Sequence, residues 1–216
     1  MSSIKLIPAS GGGSVSLVPP NSTSGSDVTI TLPTASQTLP ITPIMDQFFH
    51  PCNGATVACN CATNSGNVVL QNVTAEQGIN STFSDLTGST ITYTPPTGTK
   101  TVIYKFQFMG HKGNDDQSIG HFKFYIDSDE VTKAYLTDAG KGHQNLVTYE
   151  WPITISNSAD TTIGQVNGWT SAKTLKLMIR EYGSSFEYSA HSTEWTDGTG
   201  TDTFVMPRIG ITALNT

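Results

Sequence analysis

The residues best suited to chemistry by type are His50, Cys52, Cys59 and Cys61, which fall in the stretch "HPCNGATVACNC". Thiolates and imidazoles are the usual ligands of zinc, but the spacing here, H-x-C-x6-C-x-C, matches none of the paired C-x2-C knuckles of structural zinc sites. The chain has 3 cysteines, an odd count that does not describe a closed disulfide framework. Two readings stay open: a metal site, shared between subunits or not, and a loop with incidental thiols or one local disulfide. The second is the simpler. No metal or cofactor is therefore expected, and these four residues are the ones that would hold a metal if one bound.

Carboxylates cluster twice, as Asp115 and Asp116 in "GNDDQ" and as Asp127, Asp129 and Glu130 in "DSDE". Glycoside hydrolysis needs two carboxyl groups facing across a groove, with pKa values pushed apart. Neighbours on a tight turn point in different directions and stay solvated. "YIDSDEV" accordingly reads as a hairpin turn and "GNDDQ" as a solvated loop, and neither has the D-x-[DN]-x-[DN]-G spacing of a calcium loop. The histidines, His50, His111, His121, His143 and His191, form no i, i+4 pair and no H-E-x-x-H. His121 and His191 fall on outward-facing strand positions, where a surface or interface role is expected. There is no G-x-S-x-G elbow, and "GGG" at 11–13 precedes a strand instead of following one, so it does not cradle phosphate. No catalytic residue is expected.

Two tryptophans lie in or beside loops: Trp169 in "NGWTS" and Trp195 in "TEWTDGTG". A loop Trp can stack on a sugar ring, which makes these two the candidates for receptor contact. The plainer reading packs each over a sheet edge or into a subunit interface, where Trp is enriched. Trp151 sits in strand register and reads as core.

The elements that must position these residues show in composition and period. Charged residues make up only 13% of the 216, which is thin for helices and suits an all-β protein with many turns. A net charge of -6 with no basic run argues against nucleic acid as a partner. The opening "MSSIKLIPAS" lacks the apolar core of a secretory signal. No stretch approaches a membrane span. Synthesis in the cytoplasm, without membrane insertion, is the expectation.

The halves of the chain differ. Of 11 basic residues only Lys5 precedes Lys100, and all 3 Trp lie beyond that point. In the second half the alternation is plain. Val102, Tyr104, Phe106 and Phe108 point one way in "TVIYKFQF", as do Phe122, Phe124 and Ile126 in "HFKFYI". Val147, Tyr149, Trp151, Ile153 and Ile155 continue the pattern, with Pro152 on the other face suggesting an edge strand or a bulge. Further strands are expected at 175–179, 186–190 and 204–213. Six or more half-buried antiparallel strands without helical period make a β-sandwich, jelly-roll-like. The domain boundary is expected near residue 95, with a region 1–95 of short strands and a sandwich over 96–216.

The first of those short strands, 14–18 and 28–32, flank a Pro/Asn/Ser/Gly link and read as a hairpin. Its apolar side chains, Val15, Leu17, Val28, Ile30 and Leu32, are too few to offset the entropy of ordering it. Other copies of the chain are the natural cover, which makes these five the candidate assembly residues.

"GGGSVSLVPPNSTSGSDVTITLPTAS" resembles a short repeat in the fibre proteins of tailed bacteriophages, a G-S-V-x-L-x-x-P strand followed by a T-x-T-L-P strand. "GSTITYTPPTGTKTVIYKFQF", "HFKFYIDSDEVT", "GWTSAKTLKLMIREY" and "TDTFVMPRIGITAL" are similar to a β domain of virion structural proteins of marine tailed phages. Residues 37–66, with the cysteines, lie outside the resemblance. The resemblance implies a homotrimeric appendage protein of the virion, a tail fibre or a head or capsid attachment, assembled in the host cytoplasm; with no catalytic residue expected, it reads as non-enzymatic. It would contact other virion proteins and a host receptor or glycan. A capsid decoration protein and a polysaccharide-cleaving spike are the alternatives.

Overall fold

Strict alternation in four long segments decides the architecture. The computed structural model describes residues 4–6, 15–17, 44–112, 117–141, 144–183, 187–193 and 203–216. It divides into two compact units, Met1–Ile41 and Thr42–Thr216.

In the first unit β1 (Ile4–Leu6) and β2 (Val15–Leu17) pair antiparallel, with Ile4 opposite Leu17 and Leu6 opposite Val15. The strand expected at 14–18 is therefore present, but among the described residues its partner is Ile4–Leu6. The expected partner, with Val28, Ile30 and Leu32, lies outside the described residues.

The second unit is an all-β sandwich. Its strands run β3 (Ile44–Pro51), β4 (Thr56–Ala58), β5 (Asn67–Val69), β6 (Gln77–Gly78), β7 (Ser84–Asp85) and β8 (Ile91–Tyr93). There follow β9 (Thr101–Lys112), β10 (Gln117–Ile126), β11 (Asp129–Glu130), β12 (Leu136–Lys141) and β13 (Gln144–Ser156). The chain closes with β14 (Gln165–Asn167), β15 (Lys173–Glu181), β16 (Tyr188–Ala190), β17 (Ser192–Thr193), β18 (Thr203–Phe204) and β19 (Arg208–Leu214).

The larger sheet is centred on β9, which pairs with β13 along one side and with β19 and β16 along the other; β3 then pairs with β19. The smaller sheet is centred on β10 and β15, flanked by β11 and β12 on one side and by β7 and β8 on the other. Among the described residues pairing is antiparallel except between β14 and β13, which run parallel. Because β14 meets Thr154–Ser156 alone, among the described residues β13 is an edge strand at Pro152, as the missing amide proton suggested.

The inward residues interlock as aromatic layers. Tyr104 of the larger sheet lies 5.0 Å from Phe124 of the smaller, and Phe108 lies 5.7 Å from Phe122. Offset and tilted pairs at such distances add to simple burial. Buried phenols need acceptors, and each finds one: Tyr104 donates to the Ser89 carbonyl at 2.6 Å and Tyr149 to the Ala134 carbonyl at 2.9 Å. Burial pushes both phenol pKa values above the ordinary range. Two strand glycines make room for a third phenol. A Cβ on Gly110 would run into the Tyr188 hydroxyl, and one on Gly120 would come within 3.0 Å of its ring.

The boundary expected near residue 95 is corrected to Ile41/Thr42. Residues 44–93 show little apolar alternation, but the sandwich needs them as edges: β3 pairs with β19, and β8 and β7 pair with β15. Leu86, Ile91 and Tyr93 are fully buried in the common core. Among the described residues no helix is long and apolar enough to cross a membrane.

Candidate functional site

The inner faces of the sheets are spent on the core, so recognition falls to their outer faces and rims. On β10 the residues between the buried phenylalanines, His121, Lys123 and Tyr125, point outward; on β15 Lys176, Met178 and Arg180 do the same. Cross-strand register brings them side by side, with His121 opposite both Arg180 and Thr137 and Tyr125 opposite Lys176.

His121 is the centre of this face. Its ring lies 5.9 Å from Tyr135, which leads into β12, and 5.9 Å from Tyr182, which leaves β15. The two tyrosines are 46% and 56% exposed, well above the usual for rings of that size. The His121 Nδ1 is 3.1 Å from the Thr137 hydroxyl. Partial burial and the Arg180 guanidinium hold its pKa below the ordinary value, so the ring is neutral at pH 7.

Cations border the rings. Lys123 sits 4.8 Å and Arg180 5.3 Å from the centroid of Phe83, both in cation–π geometry. Lys123 also pairs with Glu130 at 2.8 Å, and Lys176 with Asp85 at 2.7 Å. The Lys123 ammonium beside it lowers the Glu130 pKa. Among the described residues no carboxylate pairs with Arg180, so this face carries a local positive excess on an acidic chain. Exposed rings beside a neutral imidazole, with a guanidinium on the neighbouring strand, can stack on a sugar and hold an acidic substituent.

The turn carboxylates do structural work. Asp127, at φ 55°, accepts the Thr174 amide at 2.8 Å and pairs with Lys173 at 3.1 Å, while Glu130 takes Lys123 and the Tyr125 hydroxyl. Asp127 and Asp129 edge a cleft of about 230 Å³. Asp115, Asp116 and His143 lie outside the described residues. A second carboxylate group was not legible in the sequence: Glu76, Glu181 and Glu187 line a cavity of about 290 Å³ with His111 and Ser189. Burial first, and Glu187 second, push the Glu181 pKa up.

Several expected site residues are displaced. Trp169 is 5% exposed, not a loop Trp open to a ligand; its indole N–H donates to the Tyr93 carbonyl at 3.1 Å and its ring meets Tyr93 edge-on. Trp195 lies outside the described residues. His191 is not outward-facing but fully buried at φ 70°, edge-on to Phe106 and Phe108. A positive φ breaks the strand alternation from which an outward position was read. Its Nε2 lies 3.0 Å from the Thr87 carbonyl, and burial pushes its pKa down to about 4.

The cysteine group also divides. Cys59 and Cys61 are joined as a disulfide, the local bridge that the sequence left open, with Cα atoms 5.1 Å apart. Cys52 is a buried free thiol donating to the Gly88 carbonyl, its pKa pushed up to about 12 by burial. The His50 imidazole stays beside the neighbouring backbone, Nδ1 2.9 Å from the Pro51 carbonyl. Asp46, which the sequence did not single out, replaces these two beside Cys59 and Cys61: the three donor atoms lie within 4.8 Å of one another.

No family model matches this chain, and no curated protein matches it.

Proposed function

We propose that this protein is a non-catalytic virion component of a tailed phage, a trimeric fibre or appendage that acts through assembly and through binding of an acidic glycan on the host surface. The observation that carries the binding reading is the outer face of the smaller sheet, where exposed Tyr135 and Tyr182 flank a neutral His121 beside Arg180. With a net charge of -6, long-range attraction to an anionic surface is weak, so recognition rests on short-range stacking and ion pairing. Three copies on one appendage multiply a weak per-site contact through effective concentration.

The virion reading is supported by the phage-fibre resemblance of 11–36 and of the strand segments in the second unit. The trimer reading is supported by the first unit, whose β1–β2 ladder has three residues per strand, too little to stand alone. The non-catalytic reading is supported by the use of Asp127 and Glu130 as hydrogen-bond and ion-pair partners within the fold.

Binding of the purified chain to uronic-acid polymers against neutral ones tests the proposal, with immunogold labelling of virions testing location. Preference for the acidic polymer and sparse label on an appendage are expected. Absence of glycan binding overturns the receptor reading. Label spread over the capsid, at hundreds of copies, replaces the fibre by a decoration protein. Sugar release that is lost on Glu181→Gln replaces binding by hydrolysis.

A further inference from the structure

The group formed by Asp46, Cys59 and Cys61 is built from two directions. Asp46 projects from β3, next to the sheet edge, and is 5% exposed. Cys59 and Cys61 stand at the end of β4, in a loop tied back to β3 through Asn60. The Asn60 amide N–H donates to Asp46 Oδ1 at 3.1 Å and the Asn60 side chain donates to the Met45 carbonyl at 3.1 Å. Further bonds hold the loop, from the Cys59 amide to the Gly66 carbonyl at 2.9 Å and from the Ala62 amide to the Thr94 carbonyl at 3.0 Å. The donors are therefore presented on a fixed frame.

Asp46 gives the second, independent reason to look for a cation. Its carboxylate is buried, Tyr93 donates to Oδ2 at 2.8 Å, and none of the ion pairs among the described residues includes it. Burying a carboxylate without a positive partner is costly. Its two hydrogen bonds orient the group while leaving lone pairs free, the arrangement in which outer-shell donors fix a metal-binding carboxylate.

We propose that Asp46, Cys59 and Cys61 form a redox-gated site for a thiophilic divalent cation, zinc being the best match. In the disulfide form neither sulfur is a thiolate and the site is closed. A dithiol reductant exchanges with the bridge: the Cys59–Cys61 bond breaks, two electrons and two protons pass from the reductant to the chain to give two thiols, and the reductant becomes the disulfide. Zinc then displaces the two thiol protons and is held by two thiolates and the Asp46 carboxylate. The Asp46 carboxylate and the two sulfurs lie within 4.8 Å of one another, and once the bridge is reduced the sulfurs must part to the roughly 3.8 Å that tetrahedral zinc keeps between thiolate donors. Three protein donors leave the fourth position to water. A loop pinned by a disulfide under oxidising conditions is pinned by a metal under reducing ones.

The test uses the full chain, oxidised and reduced, titrated with zinc alone under a competing chromogenic chelator and weighed by native mass spectrometry. The reduced chain takes up one zinc with loss of two protons, and cobalt in its place gives thiolate-to-cobalt charge-transfer absorption. The oxidised chain takes up none. Cys59→Ser with Cys61→Ser abolishes uptake. Asp46→Asn, checked for folding by circular dichroism, weakens it at least ~10-fold. Equal uptake by the oxidised chain or by the double serine variant overturns the proposal, as does absence of uptake by the reduced wild-type chain. Unchanged affinity in folded Asp46→Asn overturns the carboxylate as a ligand.

Discussion

The Tyr188 hydroxyl, in the larger sheet, donates a 2.8 Å hydrogen bond to Asp138 Oδ2, in the smaller, and so ties the two layers together at one end of the sandwich. The ring reaches that position over Gly110 and Gly120, where any side chain would collide with it. Burial first, and the Asp138 carboxylate second, push its pKa well above the ordinary phenol value, so it stays a donor at all physiological pH. Tyr188→Phe is expected to cost about 1.5–3 kcal/mol, the range for a hydrogen bond to a charged group. Gly120→Ala should also destabilise, by overpacking. Urea denaturation of the folded chain measures both.

The buried imidazole of His191 sets an acid limit on stability. Its folded pKa of about 4 lies below the value near 6.5 expected when unfolded. Between these values the unfolded chain binds the proton and the folded chain does not. The contribution is therefore complete above pH 6.5 and is lost as pH falls toward 4. The depression corresponds to about 3 kcal/mol at most. Thermal melts from pH 7 to 4 should show Tm falling across this window, and His191→Gln should flatten that part of the slope. An unchanged slope in the variant assigns the acid sensitivity elsewhere.

Tyr135 and Tyr182 should carry the binding of acidic glycan without carrying the fold. Alanine at either exposed position is expected to leave the unfolding free energy within ~0.5 kcal/mol of wild type. Glycan affinity should fall about 10-fold or more, as for a binding hot spot. Arg180→Gln should lower affinity for acidic polymers more than for neutral ones. Isothermal titration on folded variants reads each effect.

Trp169 predicts the opposite pattern. Trp169→Phe removes the N–H that satisfies the Tyr93 carbonyl and shrinks a core side chain, at a cost of about 1–3 kcal/mol. Glycan affinity measured on the folded fraction should not change. Lost binding with unchanged stability would restore Trp169 as a contact residue.

The two-unit division predicts that a chain starting at Thr42 folds as a sandwich by itself, with the melting behaviour of the full-length protein's second unit. The full chain is expected to sediment as a trimer and the shortened chain as a smaller species. A monomeric full chain at micromolar concentration removes the first unit as an assembly device.

Much of the sandwich could be read from the chain alone. In β9, β10, β13 and β15 one face is covered and the other wet, so burial repeats every second residue and the inward set, from Val102 to Ile179, is written in local order. What local order could not reveal is which distant segments complete each sheet. Residues 44–93 have little apolar periodicity, yet backbone pairing to β19 and β15 draws them into the core. The same holds for the sites. Trp169 and His191 look like exposed residues until packing encloses them, one beneath Tyr93 and the other at a positive φ. Tyr135, His121 and Tyr182 look unrelated until the register of β10 with β12 and β15 sets them ring beside ring. Side-chain type and period are properties of neighbours in sequence. Contact between sheets is a property of register and twist, which only the folded chain decides.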